Sequence, residues 1–514
     1  METVRIAPEL LADRLDARYN SKAAVALRQL LKDCHLNAAP MSEVFTKVSC
    51  GPFGSTLTED EFSADGDVLV VQPTNISGDF FSTDSAWRIS RAVLESKGLP
   101  LYSPGTFVFA RVGVYPHVGV IPTGVGDCTI SSKIIAATCG GNRDPHYLFA
   151  FFRGKHGAPL LFAAQKSTAQ PTIGTYEILQ TVVPVPDTRV QRYIGDKIRQ
   201  SYQLASFSRV LENAVGMKFM NLIEGVRDCP RGWRTKSNLL DTFRMNPSHY
   251  DPTALKMIQD AEQKVELIEL GSLLGERAMS GGATPLGADY GDSGVFFVRV
   301  QNVKPYRLDL SDAAYLSSAQ DAQLARSRCR ANDIIFSITG YPGTASLVMD
   351  DDLPININQH CVRLDIKPPS DAAYVVAAMN SPFVKRQVDR LAIGGTREAL
   401  DYPSVRSLLI PMLDQPTMDE ISQKVRTLNS AARLSQRLIV AAKCMAEALV
   451  EGKIPESEFI VIQNEIDGGN YGPDRELLAR LTPDGADVSD SPKLFPDLPS
   501  LYSVLRDAVP AEAE

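Results

Sequence analysis

A chain of 514 residues exceeds what one hydrophobic core can serve and predicts two to four domains; 44% apolar and 22% charged residues exclude a disordered chain. The net charge of −8 excludes less, because Lys453 to the end carries 13 acidic and 5 basic residues while the preceding 452 residues hold 48 of each sign. A neutral body with an acidic tail can still gather cations in one groove. Eight cysteines (Cys34, Cys50, Cys128, Cys139, Cys229, Cys329, Cys361, Cys444) stand without a CxxC pair or a histidine at ligand spacing, which argues against a disulfide framework or a zinc site. No apolar run reaches the eighteen or so residues of a membrane span and none follows the first five residues as a leader would, so the expectation is a reduced, cytoplasmic protein.

In chain order, residues 7–33 carry a helical pattern around Leu10, Leu11, Leu15, Ala23, Leu27 and Leu31. A glycine-bearing stretch from Cys50 leads to a strand at Val68–Val71 and the loop Gln72-Pro-Thr-Asn-Ile-Ser77. Further strands are expected at Thr106–Arg111, Ser131–Thr138 and Thr181–Val185, with a helix opened by Asp144 and running to Arg153. A long helix follows at Gln191–Gly225, then a linker over Asp228–Asn246 holding Pro230, Gly232 and Trp233.

Adding 227 to these positions finds the pattern again: Asn75 maps to Asn302, Phe109 to Phe336, Gly113 to Gly340, Tyr147 to Tyr374, Pro184 to Pro411, Ile194 to Ile421, Lys197 to Lys424 and Leu211 to Leu438. A single offset held over that span marks a duplication of about 225 residues. The second long helix is then Met418–Gly452, and both end alike, Leu222-Ile-Glu-Gly225 against Leu449-Val-Glu-Gly452, with glycine where a helix end favours it. Stripes through Ile194, Ile198, Ala205, Val215, Phe219 and Leu222, and through Ile421, Val425, Leu428, Ala432, Ile439, Ala442, Ala446 and Leu449, make each helix a partner for the other. Repeat and linker divide the chain into 1–188, 189–227, 228–246, 247–415, 416–452 and an acidic extension, 453–514, expected to be mostly irregular with short helices at 475–480 and 498–509.

Catalytic motifs are missing. The sequence contains no GxxxxGK[ST], HExxH or GxSxG. Asp144-Pro-His-Tyr147 resembles the Asp-Pro-Pro-Tyr loop of amino-methyltransferases, but its repeat is Asp371-Ala-Ala-Tyr374 and no glycine-rich cofactor loop accompanies it; a helix cap with an inward tyrosine is the simpler reading. Asp350-Asp-Asp352 reads as a solvated hairpin turn rather than a metal site. No catalytic or metal-binding residue is assigned.

The loops are where the copies diverge, and they are rich in groups suited to nucleic acid. The first copy offers Arg111, Tyr115, Lys133, Lys166, Ser167, Thr168, Gln170 and Thr172; the second offers Arg299, Gln301, Asn302, Tyr341, Asn358, Gln359, His360, Thr396 and Arg397. Arginine pairs bidentately with guanine and Asn or Gln with adenine, while Ser, Thr and Lys suit phosphates. One scaffold with two loop sets is what two recognition modules for different targets would look like.

Gly51-Pro-Phe-Gly-Ser55, Val71-Gln-Pro-Thr-Asn-Ile76, Phe107-Val-Phe-Ala-Arg-Val-Gly113, Thr129-Ile-Ser-Ser132, Ala169-Gln-Pro-Thr-Ile173 and Val183-Pro-Val-Pro186 precede a helix near Gln191; Val300-Gln-Asn-Val303, Asp333-Ile-Ile-Phe-Ser337, Asn356-Ile-Asn-Gln359 and Leu409-Ile-Pro411 repeat the order. Through these features residues 15–452 resemble the specificity subunit of type I restriction-modification systems, the HsdS family. The resemblance implies an α+β fold, a tandem duplication of an α/β target-recognition domain followed by a long helix, the two helices forming an antiparallel coiled coil. Helices of about 34 residues, roughly 50 Å long, would act as spacers holding the domains about one turn of DNA apart, near 34 Å. It also implies a double-stranded DNA target read in two parts, no cofactor bound by this chain, two adenine methyltransferase subunits that use S-adenosylmethionine, and, in complexes that cut, two ATP- and magnesium-dependent restriction subunits. The methylating partner would flip the base. Two other readings stay open: a DNA- or partner-binding scaffold of another phage-defence system, and a self-sufficient DNA-modifying enzyme.

Overall fold

The computed structural model describes residues 16–52, 56–83, 87–113, 117–166, 170–225, 233–234, 240, 246–285, 290–291, 293–395, 397–489 and 491–509. The chain divides into two compact units, 1–205 with 433–514, and 206–432.

The first unit contains β1 (Ala38–Pro40), β2 (Phe45–Cys50), β3 (Val68–Val71), β4 (Trp87–Ile89), β5 (Phe107–Ala110), β6 (Val118–Val120), β7 (Cys128–Ile130), β8 (Ile134–Cys139) and β9 (Val182–Pro184). They form a four-stranded sheet in the order β2-β8-β5-β6, a three-stranded sheet β4-β3-β7 and the pair β1-β9. Only β3 and β7 run parallel; the other pairs are antiparallel. Strands β3, β5, β6 and β7 are buried along their whole length, as β-branched and aromatic runs covered on both faces must be. Of the expected strand 131–138 only the part from Ile134 is strand, β8; residues 131–133 are a turn that parts β8 from β7 in the other sheet, with Ser131 N donating to Val71 O and Ile134 N to Ser131 O, each at 3.0 Å. An apolar run can cross between sheets without a break in its hydropathy, so the sequence alone does not show the turn.

The second unit repeats this plan with β10 (Glu266–Glu269), β11 (Ser280–Gly281), β12 (Val295–Val298), β13 (Ala314–Leu316), β14 (Ile334–Ser337), β15 (Ala345–Leu347), β16 (Ile355–Ile357), β17 (Cys361–Leu364) and β18 (Leu409–Met412). The orders are β11-β17-β14-β15, β13-β12-β16 and β10-β18, again with one parallel pair, β12 with β16. Even single bonds recur: Tyr147 donates its hydroxyl to Pro184 O, and Tyr374 to Pro411 O. Asp144 caps its helix by accepting from His146 N at 2.8 Å while Tyr147 is buried, as the cap reading requires. Asp350–Asp352 is a turn between two sheets rather than a hairpin, and Asp352 is buried, accepting from Met349 N at 2.8 Å.

The long helices are Thr188–Met217 and Gln415–Val450. Within the second unit Ser208 donates to Leu428 O and Lys218 to Glu420, so the partner numbers fall as the first rise and the helices pair antiparallel. Ile194, Ile198, Val215, Phe219, Leu222, Ile421, Val425, Leu428, Ile439 and Leu449 are all buried. Each contributes about 1.5–3 kcal/mol on leaving water, which stabilises pairing that helix propensity alone would leave marginal. Three details differ from expectation. Leu204 and Ala431 are buried in place of Ala205 and Ala432. Serines also lie buried: Ser435 Oγ donates to Ser201 O at 2.7 Å in the first unit, the repeat counterpart of the Ser208–Leu428 bond at 3.0 Å in the second. The first helix stops at Met217, and Met220–Leu222 form a separate 3₁₀ turn before Gly225 at φ +78°; Gly452, at φ +69°, directly follows the last turn of the second.

Among the described residues the first helix is Lys22–Asp33, started by Ser21 accepting from Ala24 N, and it covers only the end of the expected 7–33; Leu10, Leu11 and Leu15 lie outside the described residues. The acidic extension is folded rather than irregular. Its helices Glu456–Asp467, Gly472–Arg480 and Leu498–Asp507, with a hairpin of β19 (Leu481–Thr482) and β20 (Gly485–Ala486), belong to the first unit and bury Phe459, Ile462, Leu477, Leu478, Leu501 and Val504.

Candidate functional site

In each unit three segments converge where the strand β5 or β14 ends. In the first, Arg111 N donates to Lys133 O at 2.8 Å, Ile173 N to Arg111 O at 2.9 Å, Gly113 N to Pro171 O at 3.2 Å and Lys166 N to Thr172 O at 2.8 Å. In the second, Ile338 N donates to His360 O, Leu400 N to Ile338 O, Gly340 N to Glu398 O and Ile393 N to Ala399 O, each at 2.9 Å. Every donor and acceptor of the second set stands 227 positions after its counterpart. Because all eight bonds join main-chain groups, the frame is built without specifying which side chains it displays.

The displayed side chains differ. On the first frame Arg111, Lys133 and Gln170 are exposed, Thr172 is half-buried and Lys166 is exposed with Nζ 2.9 Å from Glu177 Oε1. Glu177, which sequence reading passes over, is buried and accepts from Gly174 N at 3.0 Å. Burial works against its charge, but Lys166 and main-chain amides outweigh burial and hold the carboxyl below its ordinary range. Its position three residues into a helix is the available signal. Also missed is Gln165, fully buried, whose Nε2 donates to Gly113 O at 2.8 Å and so ties the strand exit to the returning loop. Tyr115, Ser167 and Thr168 lie outside the described residues.

On the second frame Tyr341 is 83% exposed, and Arg397 and Gln359 are exposed, Gln359 accepting from Thr284 Oγ1. His360 is half-buried with Nε2 3.1 Å from Arg397 Nη2. Burial first, and then the Arg397 charge, hold the imidazole below its ordinary value, so at pH 7 it is neutral and able to accept through Nε2. Thr396 lies outside the described residues.

One of the proposed base readers is spent inside the fold. Asn302, fully buried, donates to Asp309 O at 3.0 Å and to Asp312 Oδ1 at 2.6 Å and accepts from Arg299 N. Asn75 closes the matching turn in the first unit, accepting from Gln72 N at 2.6 Å and donating to Ser82 O at 2.8 Å. Asn358 is 6% exposed and accepts from His360 N. Asn302, with its oxygen and amide nitrogen both bonded within the fold, has no donor or acceptor free for a base edge, whereas the bond to His360 N engages only the oxygen of Asn358. Arg299 and Gln301 also turn to Asp312, the first donating to its carbonyl at 2.9 Å and the second to its carboxylate at 2.8 Å.

Among the described residues the frames offer hydrogen-bond donors, cations and one largely exposed aromatic ring, Tyr341. No cluster of three His, Cys, Asp or Glu side chains among the described residues can hold a metal ion, and no described helix is long and apolar enough to cross a membrane. An open cleft of about 410 Å³ beside the start of the first long helix is lined by Arg143, Arg189, Arg192 and Arg199 together with Asp144 and Asp196. Arg189, Arg192 and Arg199 pair there with Asp187, Asp196, Asp467 and Asp144, so the cleft is nearly charge-balanced.

No protein-family model and no curated protein matches this sequence. Among solved structures the chain is similar to the S subunit of a type I restriction-modification system from M. genitalium, at 10% identity and a TM-score of 0.43, over 82% of this chain and 97% of that one. It is also similar to the HsdS subunit from Thermoanaerobacter tengcongensis, at 13% identity and a TM-score of 0.26, over 81% of this chain and 97% of that one. A third similar chain comes from a study of complex assembly and conformational transition of the type I restriction-modification system, at 13% identity and a TM-score of 0.27, over 81% of this chain and 98% of that one.

Proposed function

We propose that this chain is the specificity subunit of a type I restriction-modification complex, binding double-stranded DNA at an asymmetric target of two parts with an unread spacer. The observation that supports this reading is the duplicated main-chain frame, identical in hydrogen-bond register in the two units and dressed with unlike side chains. A cationic set, Arg111, Lys133 and Lys166, stands on the first frame; Arg397, His360, Gln359 and Tyr341 stand on the second. Such a pair of modules reads two different short sequences.

On this reading residues 1–188 and 247–415 are the target-recognition domains, 189–227 and 416–452 the spacer helices, 228–246 the linker and 453–514 an accessory extension. The chemistry belongs to partners: two adenine methyltransferase subunits that bind S-adenosylmethionine, joined in complexes that cut by two ATP- and magnesium-dependent restriction subunits. The recognition subunit places the adenine that a methylating partner flips.

The test is a map of methylated adenines in the host genome with the gene present and deleted. Loss of methylation at one gapped, asymmetric motif is the expected result. Unchanged methylation, together with no consensus from a randomised duplex pool, would overturn the reading in favour of a scaffold.

A further inference from the structure

We propose that Arg397, aimed by His360, reads a guanine in the half-site bound by the second unit. This inference rests on the reading above and assigns one base contact within it. Three observations carry it.

The loop bearing Arg397 is tied at its base by main-chain bonds. Ile393 and Ala399 pair across its base, each amide bonded to the other's carbonyl at 2.9 and 2.8 Å, and Gly340 N bonds Glu398 O at 2.9 Å. Gly394 sits at φ +109°, and a Cβ there would collide with the Arg397 carbonyl oxygen, so only glycine permits this path. A loop so tied has little backbone freedom at its base left to lose on binding.

The guanidinium is then oriented by a neutral acceptor. His360 Nε2 lies 3.1 Å from Arg397 Nη2, and the His360 main chain is itself bound to the frame, its carbonyl accepting from Ile338 N and its amide donating to Asn358 Oδ1. The imidazole takes one of the five guanidinium donors without neutralising the charge. A carboxylate in that place would have cancelled the attraction for DNA. A guanidinium presents paired donors that match guanine O6 and N7, the geometry for which lysine, a single point of charge, is no substitute.

The position is also one where the copies part. Arg397 stands where the first frame has Gln170, and His360 where it has Lys133. The first unit therefore has no arginine–histidine couple at these two positions. Tyr341, 83% exposed on the adjoining strand exit, gives the same tip an apolar surface.

The experiment uses the full-length chain purified from its host with its bound subunits, and a randomised DNA duplex pool. Wild type should select a guanine at one position of one half-site. Arg397→Lys should retain most binding and lose that preference by tenfold or more, about 1.4 kcal/mol or above, with every other position unchanged. His360→Leu should relax the same position less, and His360→Gln, which keeps an acceptor, should restore it in part; a purely structural role for His360 would shift all positions together. Three outcomes overturn the assignment. The first is a full consensus kept by Arg397→Lys. The second is an Arg397→Ala variant that binds all sequences equally less well with the salt slope reduced by about one, the mark of a phosphate contact. The third is a change that falls in both half-sites. A wild-type pool without any consensus removes the recognition reading as well, and that separates the two failures.

Discussion

In the first unit Lys197 is buried with its Nζ 2.7 Å from Asp474, whereas Lys424, its repeat counterpart, pairs with Glu420 at 2.6 Å at the surface of the second. The neighbouring position changes with it. Tyr193, buried against Phe459 and donating to Asp474 at 2.6 Å, corresponds to Glu420, which is exposed and also meets Lys218. The seam positions do not change: Ile194 with its counterpart Ile421, and Ile198 with its counterpart Val425, are apolar and buried in both copies. Two demands on one helix are thereby separated. Pairing of the long helices sets the seam, and the folded extension sets the face that it covers, burying a charge that the second copy leaves partly exposed.

That separation ranks the consequences of substitution. The largest effect is expected in the seam, where Ile439→Asp places a carboxylate in an apolar contact and should lower the unfolding free energy by more than about 4 kcal/mol, read by denaturant titration. Next is the covered face. Asp474→Ala strands the Lys197 ammonium and should cost about 3 kcal/mol, with residues 453–509 becoming the first site of limited proteolysis, while the pair Lys197→Met with Asp474→Leu should recover most of the loss. A loss confined to the single variants would tie it to the unpaired charge rather than to shape.

The covered face should also respond to acid. Burial opposes the charge on Asp474, but Lys197, Tyr193 and Tyr502 together hold its carboxyl below the ordinary value. A carboxylate depressed in the folded state contributes stability that is complete above its unfolded value, about 3.9, and is lost as pH falls through the folded value. Unfolding free energy should therefore decline below about pH 4 more steeply in the wild type than in Asp474→Asn. The smallest effect is expected on the bare face: Lys424→Met should change stability by no more than about 0.5 kcal/mol, and a loss near that of Asp474→Ala would show that something covers this face too.

How much of this can be read in the sequence follows the same division. The duplication and the helix pair are legible because seam and strand positions repeat their apolar character at one offset. The folded extension is not, since its apolar residues are spread over short helices among prolines and glycines, and the lysine that Asp474 meets lies 277 positions away. Within the candidate site, chemistry alone places Asn302 beside Gln359. The fold buries the first in a turn and leaves the second at the surface, a difference that depends on Asp309 and Asp312 folding back over Asn302 and has no local signature. A strict 3.5-residue repeat from Ile198 lands on Ser201, Ala205 and Ser208; the seam buries and bonds both serines but takes Leu204 in place of Ala205.

The main-chain frame has a consequence for how such a chain changes over generations. Since its eight bonds join amides and carbonyls, most substitutions at Arg111, Lys133, His360 or Arg397 leave it standing, and the side chains of one unit can change while those of its twin do not. On the proposed function, altered loops can then be sampled one copy at a time, with the unchanged half still directing the protein to part of its former target.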